Sequence, residues 1–206
     1  MTGPSGGGAP PLGRDPDPDP FPLLASWIAD AAKIGPLALA TALATSTSDG
    51  QPSVRMVLLK EAGPEGLVFY SDSSSRKGSE LSANPRAALC LHWPALSRQL
   101  RVEGTVLELD PAASDRYFAS RPRGSQLAAV VSHQSQIVAG RSVLERGMEE
   151  LAARLEAAPV PRPERWLGYR VVPSVIEFWC QRDNRLHDRW QYHRGQNGWS
   201  RQRLQP

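Results

Sequence analysis

The sequence predicts a mainly β protein with flanking helices, of the β/α+β class, built as a closed or split β-barrel. Three observations support this prediction. Strand-like segments follow one another along the chain, turns rich in Gly, Asp and Pro separate several of them, and few helical segments lie between them. Consecutive short strands of this kind pair in antiparallel order, and closure into a barrel leaves no exposed sheet edge.

The predicted strands follow from apolar segments bounded by turn residues. The turns SDG and GPEG separate the first three strands, and a turn at Gly195–Gly198 separates the last two. In chain order the strand segments are LALATALATST, PSVRMVLLK, GLVFYSD, RAALCLHW, RQLRVEGTVLEL, GYRVVPSVIEFWCQ and the two halves of DRWQYHRGQNGWSRQRL.

Four helices are predicted between and before these strands. The first contains Leu24, Trp27, Ile28 and Ala31 at helical spacing, and the sequence IGP ends it. The others are SRKGSELSANP, PAASDRYFASRP and SVLERGMEELAARLEA, the last with an apolar stripe of Leu144, Met148, Leu151 and Leu155.

Two regions are distinguished by composition. Residues 1–20 are rich in Gly and Pro and end in RDPDPDP, so we expect a disordered N-terminal tail. Residues 21–206 show no internal repeat and no sign of a second domain. We therefore expect them to form a single domain.

The bulk composition is that of a soluble globular protein. The chain has 206 residues, of which 40% are hydrophobic and 22% charged. It has no apolar run near the ~20 residues of a membrane span, and its N-terminus does not resemble a secretory signal. Cys90 and Cys180 match no metal or redox spacing, so we expect a reducing, cytoplasmic setting.

The basic residues are mostly arginine. Three are the lysines Lys33, Lys60 and Lys77, and the other 21 are arginines. A GC-rich genome explains most of this bias, but Arg also binds phosphate and carboxylate through a bidentate fork. Acidic residues are interspersed throughout, so the sequence does not predict a nucleic-acid-binding surface.

Several common catalytic motifs are absent. The sequence has no Gly-rich phosphate loop followed by Lys-Ser/Thr, no dinucleotide fingerprint and no Gly-x-Ser-x-Gly turn. The histidines His92, His133, His187 and His193 lack the pair spacing of a zinc site, so we expect no metal centre. What remains is a set of polar residues within otherwise apolar segments.

Arg55 and Lys60 bracket the apolar residues MVLL of one predicted strand. Isolated cations on a core strand are unfavourable unless they are paired or bound to an anion. Alternatively, they mark the solvent-exposed ends of the strand. Strict alternation puts them on opposite faces, so both can contact one ligand only if the strand bulges or ends near Lys60.

The segment SSSRKGSE places small hydroxyls before Arg76 and Lys77 at a predicted helix start. A helix N-terminus with two cations suits a phosphate, although serines there are also ordinary caps. On a strand, Gln99 offers both a donor and an acceptor to the edge of a heteroaromatic ring. Its neighbours on the same face, Arg101 and Glu103, are expected to form a salt bridge.

Tyr117, Arg121 and Ser125 are spaced four residues apart, which on a helix is one face. One guanidinium and two hydroxyls form a candidate phosphate clamp, although Tyr117 is alternatively a core aromatic. The segment HQSQ is polar without being specific, and Trp179 in IEFW is typical of a core residue.

The segment NRLHDRW near the C-terminus puts Arg185, His187 and Arg189 at alternate positions. On a strand these three side chains share a face, which then carries two fixed positive charges and one group that titrates near neutral pH. Such a strip is either a solvated surface or an anion-binding site.

Taken in order, these segments resemble the pyridoxine/pyridoxamine 5′-phosphate oxidase family. The resemblance extends from about Asp19 to Pro206. Its most specific parts are YFASRPRGS and RLHDR. The other matching segments are RMVLLK, FYSDSSSRKG, RQLRVEG, QSQ, IEFW and RLQP. It implies an FMN-binding split β-barrel and a homodimer with FMN at the subunit interface. It also implies oxidation of pyridoxine or pyridoxamine 5′-phosphate to pyridoxal 5′-phosphate, with O₂ as acceptor and H₂O₂ as product.

The resemblance also implies the site residues. Those expected to bind FMN are Arg55, Met56, Val57, Leu58, Leu59, Lys60, Tyr70, Ser71, Arg76, Lys77, Gln99, Gln134, Ser135, Trp179 and Arg189. Those expected to bind the substrate are Lys60, Tyr117, Arg121, Ser125, Arg185, Leu186 and His187. Arg185 and His187 are expected to be catalytic and to close over the pyridine ring.

The N-terminus departs from the family pattern. Members commonly carry an Arg-x-x-Tyr element that covers the substrate, whereas residues 1–20 contain no tyrosine. The alternative is therefore a paralogous FMN oxidase of secondary metabolism, of the phenazine-pathway type. A non-catalytic flavin-binding or storage protein is a third interpretation, and a nucleic-acid-binding module is the least supported. The complete phosphate clamp favours the vitamin B6 oxidase, because an unphosphorylated ring gives the clamp nothing to bind.

Overall fold

The computed structural model describes residue 12 and residues 16–206. This part of the chain forms eight strands and five α-helices. The strands are β1 (Ala40–Ser46), β2 (Pro52–Gly63), β3 (Gly66–Asp72), β4 (Arg86–Trp93), β5 (Arg98–Glu108), β6 (Trp166–Cys180), β7 (Asp188–Gly195) and β8 (Gly198–Arg203). Each of them overlaps a segment that the sequence predicts as a strand.

The strands form one antiparallel sheet that closes into a barrel. Their order is β3-β2-β1-β4-β5-β6, and β3 also pairs with β6, which closes the ring of six. β7 and β8 extend the sheet from β6. In β1 and β4 every second residue is buried, as expected for strands with one face on the core. The predicted mainly β barrel with flanking helices is confirmed.

The described residues also form helices that pack in two apolar clusters. They are α1 (Phe21–Ala32), α2 (Arg76–Ala83), α3 (Pro111–Ser120), α4 (Arg123–Val131) and α5 (Arg141–Leu155). α1 buries Leu24, Trp27 and Ala31 in the main core, and α3 to α5 pack around a second, smaller apolar cluster. α4 has no counterpart among the predicted helices. No helix in the described part of the chain is long and apolar enough to cross a lipid bilayer.

A bulge interrupts the pairing of β2 with β3. The register shifts between Leu59 and Glu61, so the strand is irregular at Lys60. Strict alternation would put Arg55 and Lys60 on opposite faces of the strand, and a bulge at this position allows both side chains to contact one ligand. Leu59 itself is 1% exposed and packs in the core.

The segment before β7 is not the predicted strand. A 3₁₀ turn spans Asp183–Arg185, and Arg185 has a left-handed φ of 61°. The backbone N–H of Arg182 donates to Nδ1 of His187 at 3.1 Å, which holds the turn closed. The prediction that Arg185, His187 and Arg189 share one strand face is therefore wrong, because only Arg189 lies in the strand.

The predicted tail is only partly described. Residues 1–11 and 13–15 lie outside the described residues, so the disordered tail over residues 1–20 stays a prediction, as does the single domain over 21–206. Leu12 is buried against the main core. The hydroxyl of Tyr192 donates to the backbone carbonyl of Asp17 at 3.0 Å. The N-terminal segment thus contacts the barrel at these two points.

Candidate functional site

A cleft of about 580 Å³ lies beside β2 and β3. Its walls come from these two strands, the start of α2, the junction of α3 with α4 and the first residue of β6. It is lined by Met56, Val57, Leu58, Lys60, Tyr70, Ser71, Lys77, Tyr117, Ser120, Arg121, Pro122, Ser125, Gln134 and Trp166. All of these except Ser120, Pro122 and Trp166 are site residues that the family resemblance implies.

Three stacked aromatic rings support the cleft. The Tyr70 and Tyr117 ring centroids are 4.0 Å apart with planes 17° apart, and those of Tyr70 and Trp166 are 5.3 Å apart with planes 9° apart. Near-parallel rings at these distances stabilise each other beyond the area that they bury. Burial, followed by the charge of Glu61, raises the pKa of Tyr70, so its hydroxyl keeps its proton. Tyr117 therefore is both a packed aromatic and a cleft residue.

Arg121 lies over the ring of Trp166, with its Cζ atom 4.6 Å from the ring centroid. This cation–π contact fixes the guanidinium without neutralising its charge. The Nη1 atom of Arg121 is buried and has no hydrogen-bond partner among the described residues, and burial lowers the pKa of the side chain. A buried donor without a partner is unfavourable, so this wall of the cleft fits an anion.

Arg121 and Ser125 reach the cleft through a break between two helices. α3 ends before Arg121, whose backbone is extended at φ −75° and ψ 149°, and Pro122 precedes α4. A residue before proline is biased away from the helical conformation, which explains the break. The predicted single helix face over Tyr117, Arg121 and Ser125 is therefore wrong, although all three line the cleft.

A second group of polar side chains lies at the start of α2. Ser75 caps the helix, since its Oγ accepts from the Gly78 N–H at 3.3 Å. The Nζ of Lys77 donates to Ser75 Oγ at 3.0 Å and to Gln134 Oε1 at 2.7 Å. Ser71 also donates to Gln134 Oε1, at 3.2 Å. The segment HQSQ, whose sequence alone indicates no particular function, is thus hydrogen-bonded to α2 and β3.

Three cations of the cleft have no carboxylate partner. Among the described residues, no acidic side chain lies within salt-bridge distance of Lys60, Lys77 or Arg121. Burial, followed by the charge of Arg55, lowers the pKa of Lys77. Lys60 lies 5.4 Å from the ring centroid of Tyr117. Positive charges gathered without acidic partners favour an anionic ligand.

Two further arginines share one buried carboxylate. Glu80 is 4% exposed, and its oxygens lie 3.2 Å from Arg55 Nη2 and 2.8 Å from Arg76 Nε. The hydroxyls of Thr45 and Ser53 each donate to it at 2.5 Å. Burial by itself raises the pKa of Glu80, but the hydrogen bonds from these four residues outweigh it and lower the pKa to about 2. Glu80 is therefore ionised and fixes the direction of both arginines.

The remaining FMN-binding residues implied by the resemblance lie elsewhere on the sheet. Gln99 on β5, Trp179 on β6 and Arg189 on β7 are directly opposite one another across the strands. Arg189 pairs with Glu177 at 2.8 Å, which raises the pKa of Arg189. None of these three residues lines the cleft of its own chain.

The 3₁₀ turn next to this row carries the other substrate-binding residues implied by the resemblance. Arg185 and Leu186 are exposed, and the His187 ring centroid is 4.5 Å from that of Trp179. Because His187 Nδ1 accepts the Arg182 N–H, the neutral ring carries its proton on Nε2. The structure thus gathers Lys60, Tyr117, Arg121 and Ser125 in the cleft but not Arg185, Leu186 and His187.

Four residues of the site were not predicted from the sequence: Glu80, Trp166 and the cleft residues Ser120 and Pro122. Glu80 lies four residues after Arg76, a spacing that predicts an ion pair on a helix, so this signal was available. Trp166, which is 5% exposed beneath Arg121, follows a Pro-rich stretch and has no sequence signal of its own. Ser135 is exposed, and its Oγ accepts the backbone N–H of Arg76 at 3.1 Å.

Comparison with known families gives two matches that together span most of the chain. The sequence model described as "Pyridoxamine 5′-phosphate oxidase" matches residues 36–154. The one described as "Pyridoxine 5′-phosphate oxidase C-terminal dimerisation region" matches residues 166–206. The cleft residues fall mainly in the first match, and the row on β6 and β7 falls in the second.

Relatives of similar length support these matches. A protein of Rubrobacter xylanophilus named "Pyridoxine/pyridoxamine 5′-phosphate oxidase" is 51% identical over 193 residues, which are 92% of this chain and 88% of that protein. One of the same name from Rhodospirillum rubrum is 50% identical over 196 residues, 92% of this chain and 98% of that protein.

Solved structures of the same fold are also known. PhzG from Burkholderia lata, in complex with tetrahydrophenazine-1-carboxylic acid, superposes with a TM-score of 0.89 at 34% identity, covering 97% of this chain and 100% of that chain. A pyridoxamine 5′-phosphate oxidase-related, FMN-binding protein of Nostoc punctiforme gives a TM-score of 0.72 at 18% identity, covering 90% and 96% of the two chains. The predicted split-barrel fold is confirmed.

Proposed function

Because the chain belongs to the pyridoxamine 5′-phosphate oxidase family, we propose that it is an FMN-dependent oxidase of pyridoxine 5′-phosphate and pyridoxamine 5′-phosphate. The product is pyridoxal 5′-phosphate, O₂ is the electron acceptor and H₂O₂ is released. Relatives that carry this activity in their names align with most of the chain, which supports the proposal.

One observation carries the proposal. A single cleft contains cations from both the FMN-binding residues and the substrate-binding residues that the family resemblance implies. Lys77 belongs to the FMN set, Arg121 belongs to the substrate set, and Lys60 belongs to both. The reaction needs two phosphorylated molecules side by side, the cofactor and the substrate. Three cations without carboxylate partners give such a pair of phosphates the charge that they require.

The start of α2 fits the phosphate of FMN. The helix N-terminus offers backbone N–H groups, Lys77 adds a charge, and Glu80 orients the guanidiniums of Arg55 and Arg76 nearby. Residues 56–58 of β2 line the cleft with apolar side chains suited to a planar ring. FMN, when bound, accepts the electron pair that leaves the substrate.

The clamp of Tyr117, Arg121 and Ser125, with Lys60, binds the substrate phosphate in this proposal. Trp166 holds the plane of the Arg121 guanidinium, and the orphaned Nη1 of Arg121 gains an acceptor. A site whose buried donors are satisfied only by a phosphate rejects the unphosphorylated analogue strongly. The clamp thereby fixes which compound is positioned for oxidation.

Arg185 and His187 act on the substrate ring from a second copy of the chain. Their turn lies near the end of β6 opposite to the end that borders the cleft, so a two-fold homodimer is needed to bring the partner's turn onto the cleft. The match of the C-terminal residues to a dimerisation region supports this arrangement. His187 holds or moves a proton at Nε2, because its Nδ1 is occupied.

The activity is tested by mixing FMN-loaded protein with pyridoxine 5′-phosphate or pyridoxamine 5′-phosphate and measuring the formation of pyridoxal 5′-phosphate. We expect rapid formation by the wild type. Arg185→Leu should lose most turnover but keep the FMN dissociation constant within about twofold, because the side chain contacts the substrate only. Arg194→Leu, an exposed arginine of β7, is the control and should behave as the wild type. Tight FMN binding without product would contradict the activity and favour a flavin carrier.

A second candidate is an oxidase of phenazine-type rings. The superposition on PhzG with a TM-score of 0.89 favours it, whereas the phosphate clamp disfavours it. Tetrahydrophenazine-1-carboxylic acid is therefore the competing substrate in the same assay. Faster oxidation of that compound than of pyridoxine 5′-phosphate would replace the first proposal with the second.

A further inference from the structure

Arg165 connects two segments that border the cleft. Its Nη2 donates to the carbonyls of Ala129 and Val130, at 3.1 and 2.7 Å. The same atom donates to the carbonyl of Ser132 at 3.3 Å, so it caps the C-terminal end of α4. Its Nε pairs with Asp72 at 3.0 Å, where Asp72 is 1% exposed. One side chain therefore fastens the end of α4 to the end of β3.

Asp72 in turn organises the connection from β3 to α2. Its Oδ1 accepts from the backbone N–H of Ser74 at 2.8 Å and from the Ser74 hydroxyl at 2.6 Å. Its backbone carbonyl accepts from the hydroxyl of Ser75, the cap of α2, at 2.6 Å. Burial by itself raises the pKa of Asp72, but hydrogen bonds from Ser74 and Arg165 outweigh it and lower the pKa. Asp72 is therefore a charged partner for Arg165.

The segment after α4 returns to α2 through two side chains. Gln134 Oε1 accepts from Lys77 at 2.7 Å, and Ser135 Oγ accepts from the backbone N–H of Arg76 at 3.1 Å. Ser135 has a left-handed φ of 70°. Such a conformation is unfavourable for a residue other than Gly and persists only where its surroundings hold it.

We infer that Arg165 and Asp72 are positioning residues that hold Gln134 and Ser135 against the start of α2, and so set the affinity of the cleft for the phosphate of FMN. Neither Arg165 nor Asp72 lines the cleft, so both act through the residues that they hold. The inference rests on the proposed function, because it takes FMN as the ligand. The competing interpretation is an ion pair that stabilises the fold alone.

The test compares full-length Arg165→Met with the wild type. We expect the FMN dissociation constant, measured by quenching of flavin fluorescence, to rise about tenfold or more, as for the loss of a charged hydrogen-bond partner. In the FMN-free protein, amide hydrogen exchange of residues 132–136 should accelerate, because the end of α4 is no longer capped. Asp72→Asn should show the same two changes, and the double variant should be little worse than either single one, because the pair acts as a unit.

Arg162→Met is the matched control. Arg162 lies in the same segment, is 12% exposed and pairs with Asp115 at 2.5 Å. It also donates to the backbone carbonyls of Pro163 and Trp166, at 3.3 and 2.9 Å, but not to the end of α4 or to the β3–α2 connection. We expect its loss to lower the thermal midpoint while the FMN dissociation constant stays within about twofold of the wild type.

The outcomes separate this inference from the proposed function. Arg165→Met and Asp72→Asn proteins that are less stable but bind FMN as tightly as the wild type would overturn the inference alone. A wild type that does not bind FMN would overturn the proposed function, and the inference with it. Asp72→Asn preserves the size of the side chain and replaces Arg165→Met if that variant does not fold. Its FMN dissociation constant, compared with that of the wild type, then decides the inference.

Discussion

Glu80 illustrates how one buried side chain controls the charge of the site. It accepts hydrogen bonds from two hydroxyls and pairs with two guanidiniums, and its pKa falls to about 2 from a usual value of 4.5. Between these pH values the unfolded chain binds more protons than the folded one. The stabilisation is therefore complete above about pH 4.5 and is lost as the pH falls toward 2.

Glu80→Gln should remove this pH dependence. We expect the free energy of unfolding of the FMN-free wild type to fall more steeply between pH 4.5 and pH 2 than that of the variant, as measured by urea titrations at fixed pH. Glu145→Gln, which changes an exposed acid paired with Arg141, is the control and should keep the slope of the wild type. Equal slopes for Glu80→Gln and the wild type would contradict the assignment.

At the residue scale the sequence predicts cations better than their partners. Arg55 and Lys60 are identifiable because cations within apolar segments require an explanation, and Lys77 is identifiable because it lies at a predicted helix start. The role of Glu80, in α2, depends on two hydroxyls from β1 and β2, and that of Trp166 depends on the position of Arg121. Such contacts arise only when the barrel closes, and no local pattern encodes them.

At the scale of elements, α2 packs very closely on the turn that precedes it. A Cβ atom on Gly78 would lie 2.2 Å from the backbone carbonyl oxygen of Ser73, so no larger residue fits there without a shift of the helix. The same helix start carries Lys77 and the cap Ser75. A displacement of α2 therefore affects both stability and the proposed phosphate site.

Gly78→Ala should lower the free energy of unfolding by about 2 kcal/mol, the usual cost of overpacking, and raise the FMN dissociation constant. Chemical denaturation and flavin fluorescence measure the two effects. Gly124→Ala is the control, since nothing lies within 4 Å of a Cβ there. In α4 it should stabilise the protein by about 0.5–1 kcal/mol. A Gly78→Ala protein as stable as the wild type would refute the close contact.

Elements bounded by turn residues are those that the sequence predicts well. β3 and β4 coincide with the segments GLVFYSD and RAALCLHW, because Gly and Pro limit them. The errors lie where local backbone signals override periodicity. The four-residue spacing of Tyr117, Arg121 and Ser125 predicts one continuous helix. The helix in fact ends before Arg121, and Pro122 is the local signal for that end. The turn Asp183–Arg185 is held by a hydrogen bond to His187, which alternation does not reveal.

At the scale of the whole molecule, the proposed site needs two chains. The cleft and the turn that carries Arg185 are at different ends of β6, and the family resemblance rather than periodicity indicates that they meet. The exposed apolar side chains Met56 and Leu186, 64% and 69% exposed, lie on these two regions. Burial of such residues between subunits is a source of association energy.

Mixed dimers test this arrangement. Arg121→Met disables the cleft and Arg185→Leu disables the turn, so each homodimer should be inactive at low substrate concentration. After subunit exchange by unfolding and refolding, random pairing gives heterodimers with one intact site of two, and about a quarter of the wild-type activity should return. A mixture of Arg121→Met with Lys60→Ala, both defective in the cleft, should stay inactive. No recovery in the first mixture would contradict a site shared between subunits.

The central claim is that this cleft selects a phosphorylated pyridine substrate for oxidation. Its most direct test is the ratio of kcat/KM for pyridoxine 5′-phosphate to that for pyridoxine, measured by oxygen uptake of the FMN-loaded wild type and Arg121→Met. We expect a ratio of about a thousand or more for the wild type, because buried donors of the clamp lack partners when the phosphate is missing. The ratio should fall by about tenfold to a hundredfold in the variant. A wild-type ratio near one, or a ratio that Arg121→Met leaves unchanged, would contradict the account.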